Sequence, residues 1–205
     1  SAIVAAIGMN ASNIAVVIGA MVIAPLLGPL LAFSFGSAIG DAELMLKSSK
    51  TALAGLALGF ATAFLIGFLI EVDFDSTELI DRTNIGLDSV ALALASGGAA
   101  ALSVTRGLSS TLVGVMVAVA LLPPSVAMAV YLGAGEFTLS ARAGILLATN
   151  IICVNIASLL VFALRGIRPR TWLERRSATR SRQINLAVWG TLLAALIVLI
   201  LWVLG

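Results

Sequence analysis

The chain of 205 residues contains no histidine. That single absence removes a histidine general base, a histidine-held metal and a histidine haem ligand. One cysteine, Cys153, rules out an internal disulfide and any cysteine-rich metal cluster. Its place in an apolar run makes it a small buried hydrophobe rather than a reactive thiol. Charge is scarce too, at 11% of residues where soluble domains carry roughly 25%. With so few ionisable groups, no catalytic residue, cofactor site or metal site can be nominated, and the chain is not expected to be an enzyme.

Hydrophobic side chains make up 60% of the residues, and the mean hydropathy is +1.14. Stretches free of Asp, Glu, Lys and Arg run over 1–40, 51–70, 89–105, 107–135, 143–164 and 183–205. About 20 apolar residues in a helix cross about 30 Å of hydrocarbon, so these stretches hold six or seven crossings. The expected fold class is all-α: a polytopic transmembrane helical protein of about seven spans, multi-pass in the inner or plasma membrane.

Ser1–Met9 is too short to cross and reads as the end of a span whose beginning is missing, so the chain reads as a segment of a longer protein. Asn10 to Asn13 form a polar turn. Ile14–Ile39 is a long apolar segment carrying Pro25 and Pro29, where the helix should break, and Asp41 with Glu43 closes it. Lys47–Ile70 holds the next span, and an acidic loop follows. Ser89–Thr105 is short and rich in small residues; Ser96, Gly97, Gly98 and Ser103 suit close helix packing better than ligand binding. Leu108–Leu132 is expected to be interrupted at Pro123 and Pro124. Ala143–Leu164 carries Asn150 and Asn155, each either lining a pore or bonding a neighbouring helix. Ile184–Leu204 is the last span.

Orientation follows from the basic residues, which stay on the cytoplasmic side. With the arginine-rich segment Arg165 to Arg182 inside, Lys47, Lys50 and Arg106 fall inside as well, giving ten of the twelve cations; Arg82 and Arg142 fall outside. The six acids Glu71, Asp73, Asp75, Glu78, Asp81 and Asp88 then face outward with Glu136 and the Asn10–Asn13 turn. The arginine segment is expected to anchor the topology and contact anionic lipid headgroups. No nucleic-acid partner is expected.

Sliding the chain by 95 residues lays Gly19–Pro29 on Gly114–Pro124 with six of eleven positions identical, and pairs Gly40 with Gly135, Asp41 with Glu136 and Lys47 with Arg142. Residues 1–71 are accordingly one repeat, 72–88 an external acidic loop, 89–166 a second repeat, 167–183 a cytoplasmic arginine-rich loop and 184–205 a final span. Three spans per copy, an odd number, force the second copy to enter from the opposite face, giving two inverted repeats.

A proline inside a helix strips the carbonyl four residues back of its donor. Pro25 should free that of Met21, and Pro123 and Pro124 those of Val119 and Ala120. In lipid such groups need protein or water. Two breaks at similar depth suggest a solute pathway along Met21, Pro25, Gly28, Pro29, Val119, Ala120, Pro123, Pro124, Asn150 and Asn155, with the sign of the solute open. No carboxylate lies well inside a span, which disfavours a proton pump. A channel or transporter for a small solute or ion is the expected function, and a homo-oligomer the expected assembly. A non-transporting scaffold for a soluble partner is the alternative. An intramembrane enzyme is less favoured, because Ala38-Ile39-Gly40-Asp41 lacks the first glycine of a Gly-x-Gly-Asp motif.

The stretch Gly19-Ala20-Met21-Val22-Ile23-Ala24-Pro25-Leu26-Leu27-Gly28-Pro29, followed by Gly97-Gly98-Ala99-Ala100-Ala101-Leu102-Ser103 and Leu121-Leu122-Pro123-Pro124, resembles the uncharacterised hydrophobic-domain membrane proteins grouped as domain-of-unknown-function family 389. The resemblance covers about Ser1 to Leu164. It implies a prokaryotic membrane protein, often with an additional soluble region. It carries over no functional residue.

Overall fold

The computed structural model describes the backbone of all residues except 25–26, 108–109, 168–182, 186, 196 and 199–205, and the side chains of these residues together with those of 27 and 110–116 are left aside. The secondary structure of the described residues is all helical, joined by short turns and loops: α1 (Ala2–Asn10), α2 (Ile14–Ile23), α3 (Leu27–Ile39), α4 (Ala42–Leu69), α5 (Thr77–Ile80), a 3-10 turn (Asp81–Thr83), α6 (Leu87–Thr105), α7 (Ser110–Gly133) and α8 (Phe137–Leu164). Residues 183–185 and 187–195 add a further apolar helix. Most of the expected arginine-rich loop and part of the expected final span lie outside the described residues.

Helix starts follow local chemistry. Asn13 caps α2, its side-chain oxygen accepting from the Val16 amide at 3.2 Å, and Asp41 caps α4 by accepting from the Leu44 amide at 2.9 Å. The α3–α4 turn passes through Gly40 at φ +78°, and the α7–α8 turn through Gly135 at φ +85°, a left-handed conformation in which glycine carries no steric cost.

Among the described residues, α4, α6 and α8 are long and apolar enough to cross a membrane, and α2 with α3 form a fourth candidate bent by 53°. The expected break near Pro25 is thus present between Ile23 and Leu27. The expected interruption at Pro123–Pro124 is absent, and that expectation is corrected: α7 runs as one helix from Ser110 to Gly133 with both prolines inside it.

The helices pack along their length. Thr51, Gly55 and Leu56 of α4 share a cavity with Leu122 and Ser125 of α7, and further along Gly67 lies against the backbone of Val130 and Gly133 against that of Phe64 and Phe68. Helices α4 and α7 therefore run the same way. Helices α3 and α8 do likewise, since Ser34 meets Asn155, Phe35 meets Phe162 at a ring separation of 5.7 Å, and Ala38 sits with Leu159 and Phe162. Because α3 and α4 fold back on each other at Gly40, α7 runs opposite to α3 and α8 opposite to α4.

The acidic loop is a folded cap. Its Leu79, Val72, Ser76 and Thr83 are buried. Asn10 donates its side-chain amide to the Glu71 carbonyl at 3.2 Å and accepts from the Asp73 amide at 2.8 Å. Ser76 donates to the Met9 carbonyl and bonds the Ser12 hydroxyl. Phe74 stacks on Tyr131 at 6.4 Å. The Asn10–Asn13 turn, the 71–88 segment and the end of α7 thus gather at one end of the bundle, while Ala38, Ala101, Phe162 and Ile167 gather at the other.

Candidate functional site

The bend between α2 and α3 displaces the chain just before Pro29, in the first turn of α3, where proline costs little because that amide has no intrahelical partner. Pro29 and Gly28 differ in their surroundings. Gly28 is exposed, and a side chain there would meet nothing within 4 Å. Pro29 lines a cavity of about 340 Å³ shared with Ser1, Ala2, Thr51, Ala52, Gly55, Leu122 and Ser125. A second cavity of about 210 Å³ lies across the same helix, walled by Pro29, Phe33, Ser48, Leu56, Asn155 and Trp189. Both are mostly apolar, with Ser1, Thr51 and Ser125 in the first and Ser48, Ser49, Asn155 and Trp189 in the second carrying polar side-chain atoms.

The carbonyls expected to be freed by proline are accounted for differently. Met21, buried in the core, has its carbonyl closed by the Ala24 amide at 3.2 Å, an i to i+3 bond at the end of α2. Pro25 lies outside the described residues. Pro124 deprives Ala120 of its partner, and the Asn150 side chain replaces it: its amide nitrogen donates to the Ala120 carbonyl at 2.6 Å. Ser125 donates to the Leu122 carbonyl at 2.8 Å. An interior proline costs about 3 kcal/mol through its lost bond and ring clash, and at Ala120 a side chain from α8 restores the lost bond. Pro123 and Pro124 are themselves buried, Ala120 is buried, and Val119 is exposed.

Asn150 and Asn155 sit apart. Asn155 accepts from Ser34 at 2.8 Å and donates to the Ile151 carbonyl at 2.8 Å, which ties α8 to α3 and satisfies it locally. Asn150 uses only its nitrogen. Its oxygen is buried without a hydrogen-bond partner, and the Ala120 carbonyl fixes which end of the amide that is. Of the expected pathway residues, Pro29 and Asn155 lie beside the cavities, Ala120 and Asn150 meet in the α7–α8 contact, and Pro123 and Pro124 are buried within α7. Sequence reasoning missed Thr51, Ser125 and Ser34. Their signal was weak, since a lone hydroxyl in an apolar helix usually bonds its own backbone, as Thr51 does to Lys47.

The family model described as "Domain of unknown function (DUF389)" matches residues 21–156. An uncharacterised protein of Methanocaldococcus jannaschii, MJ0678, is 35% identical over 98% of this chain. The chain spans 63% of that relative's length. No solved structure matches.

Proposed function

The chain belongs to the DUF389 family, and from the geometry of its bent helix pair and the cavity beside it we propose that it is a multi-pass membrane protein that moves a small solute or ion. Two inverted three-span repeats and a last span form its frame. Several observations support that frame. Helix α4 covers Ala42–Leu69 and α8 covers Phe137–Leu164, each boundary displaced by 95 residues. Four of the five described residues with positive φ recur at the same distance, Ser12 with Gly107 and Gly40 with Gly135. The Asp41 amide bonds the Gly36 carbonyl and the Glu136 amide bonds the Tyr131 carbonyl, both at 2.8 Å.

Contacts exchange in the same way. Gly67 on Val130 corresponds to Phe162 on Phe35, with the copies swapped, as a two-fold axis requires. The opposed directions of α4 and α8 make that axis lie across the helices, the arrangement of inverted-repeat transporters. The charges orient it: the acidic cap faces outward, and Lys47, Lys50, Arg106 and Arg165 face the cytoplasm, where Arg165 to Arg182 meet anionic lipid.

The observation that carries the transport reading is the cavity at Pro29. It lies between the bent pair, α4 and α7. Thr51, Ala52, Gly55 and Gly59 correspond to Leu146, Leu147, Asn150 and Val154. The small residues Ala52, Ala54, Gly55 and Gly59 on the α4 side leave room beside Pro29. Passive movement fits better than proton pumping, because the described carboxylates lie at helix ends or in the acidic cap.

Reconstitution in liposomes tests this, with efflux of a panel of small ions and neutral solutes followed by light scattering. Replacing Thr51 by Leu, its counterpart, should fill the cavity and cut flux about ten-fold with folded yield unchanged. Folded protein that passes no solute would favour the scaffold reading.

A further inference from the structure

The hydroxyls that α4 and α7 bring to the two cavities have their protons already committed. At the larger cavity Thr51 donates to the Lys47 carbonyl at 3.0 Å and Ser125 to the Leu122 carbonyl at 2.8 Å. At the smaller one Ser48 donates to the Leu44 carbonyl at 2.6 Å and Ser49 to the Met45 carbonyl at 2.9 Å. A hydroxyl has one hydrogen and a carbonyl has none, so each bond fixes where the proton lies. What these four oxygens have left to offer a solute is lone pairs.

The rest of the larger cavity does not reverse that balance. Pro29 is the residue of the first turn of α3 that lines it, and proline has no amide hydrogen. Neither cavity is lined by Asp, Glu, Lys or Arg among the described residues. Ser1, the remaining hydroxyl, is exposed and can accept as well as donate. Spare side-chain donors are on the smaller side, where the Trp189 indole N–H is buried without a partner and Asn155 keeps one amide hydrogen beyond its bond to the Ile151 carbonyl. Surface charge does not choose a sign, since the acids of the cap lie at one end of the bundle and Lys47 and Lys50 toward the other.

We propose that the solute of the larger cavity is a small ammonium ion, unsubstituted or carrying one short alkyl group, held by the oxygens of Thr51 and Ser125. This rests on the transport reading of the same cavity and names its solute class. An ammonium group has donors and no acceptor, so it matches such oxygens with nothing left over. An anion brings acceptors alone, and an amide or alcohol brings both, which sets acceptor against acceptor in a confined space. No carboxylate neutralises the ion, but a cavity of about 340 Å³ lets it keep part of its water. Ala52, Leu56 and Leu122 are apolar wall for a short alkyl group.

Methylammonium, tetramethylammonium and nitrate are the probes, applied to the protein in liposomes and in detergent. Radiolabelled methylammonium should enter liposomes holding the protein faster than protein-free ones, whereas nitrate and tetramethylammonium, which has the charge but no N–H, should not. Thr51→Val combined with Ser125→Ala should slow methylammonium about ten-fold, the loss expected when a charged donor forfeits its acceptors. Folded yield should hold, because both hydroxyls bond only their own helices. In detergent, methylammonium should raise the thermal midpoint of the unsubstituted protein and leave that of the double variant unmoved. Nitrate flux that Thr51→Leu blocks, without methylammonium flux, would overturn the ammonium assignment and leave transport standing. Equal flux of tetramethylammonium would overturn it by showing that charge rather than N–H donation is selected. Stabilisation by methylammonium without flux of any solute would sink the transport reading alone, and absence of both would sink both.

Discussion

The side-chain nitrogen of Asn150 stands 2.6 Å from the backbone oxygen of Ala120, thirty residues away on the neighbouring helix, and takes the place of the amide hydrogen that Pro124 lacks. A buried carbonyl without a donor costs about 1–3 kcal/mol, so this bond offsets the loss at the Ala120 carbonyl within the continuous α7.

Asn150→Ala should therefore destabilise the protein by about 1–3 kcal/mol, and the loss should shrink when Pro124 is also replaced by Ala. The Pro124→Ala amide can then serve Ala120 itself. Denaturant unfolding in detergent of the two single variants and the double variant measures this. Equal losses with and without Pro124 would show that Asn150 stabilises by another route.

Glycines divide sharply by what a methyl group would meet. At Gly67 it would strike the Val130 backbone and at Gly133 the Phe64 carbonyl, while at Gly19 it would meet nothing within 4 Å. Backbone cannot yield as a flexible side chain does, so Gly67→Ala and Gly133→Ala should each cost about 1–3 kcal/mol or more through overpacking. Gly19→Ala, in the exposed face of α2, should instead stabilise by about 0.5–1 kcal/mol. Thermal unfolding should lower the midpoint for the first two and raise it for the third.

Asp75 is exposed on the acidic cap, whereas its neighbour Ser76 is buried and bonded to α1. Asp75→Cys should react with an impermeant thiol reagent from outside intact cells, and Ser76→Cys should react only after unfolding. Lys47→Cys should be protected until the cytoplasmic side is opened. Labelling of position 47 from outside and of position 75 only from inside would reverse the proposed orientation.

Composition and periodic charge placed much of this protein in view. Scarce charge and long apolar runs dictated apolar helices, because a chain with so few polar side chains must satisfy its backbone internally. Helix ends at Asn13, Gly40, Asp41 and Gly135 are written locally, since caps and left-handed turns depend on one or two residues. The 95-residue match is a property of the sequence, carried by Gly, Pro and turn charges. The two proline pairs looked alike in sequence, yet one lies at a bend and the other inside a continuous helix. Only the tertiary structure decided that, because the donor for Ala120 comes from α8, and no local pattern reveals which distant side chain will reach a stripped carbonyl. The same holds for the site. Thr51 and Ser125 became cavity residues through the parallel packing of α4 on α7, and Gly55, without a side chain, contributes to the space beside Pro29.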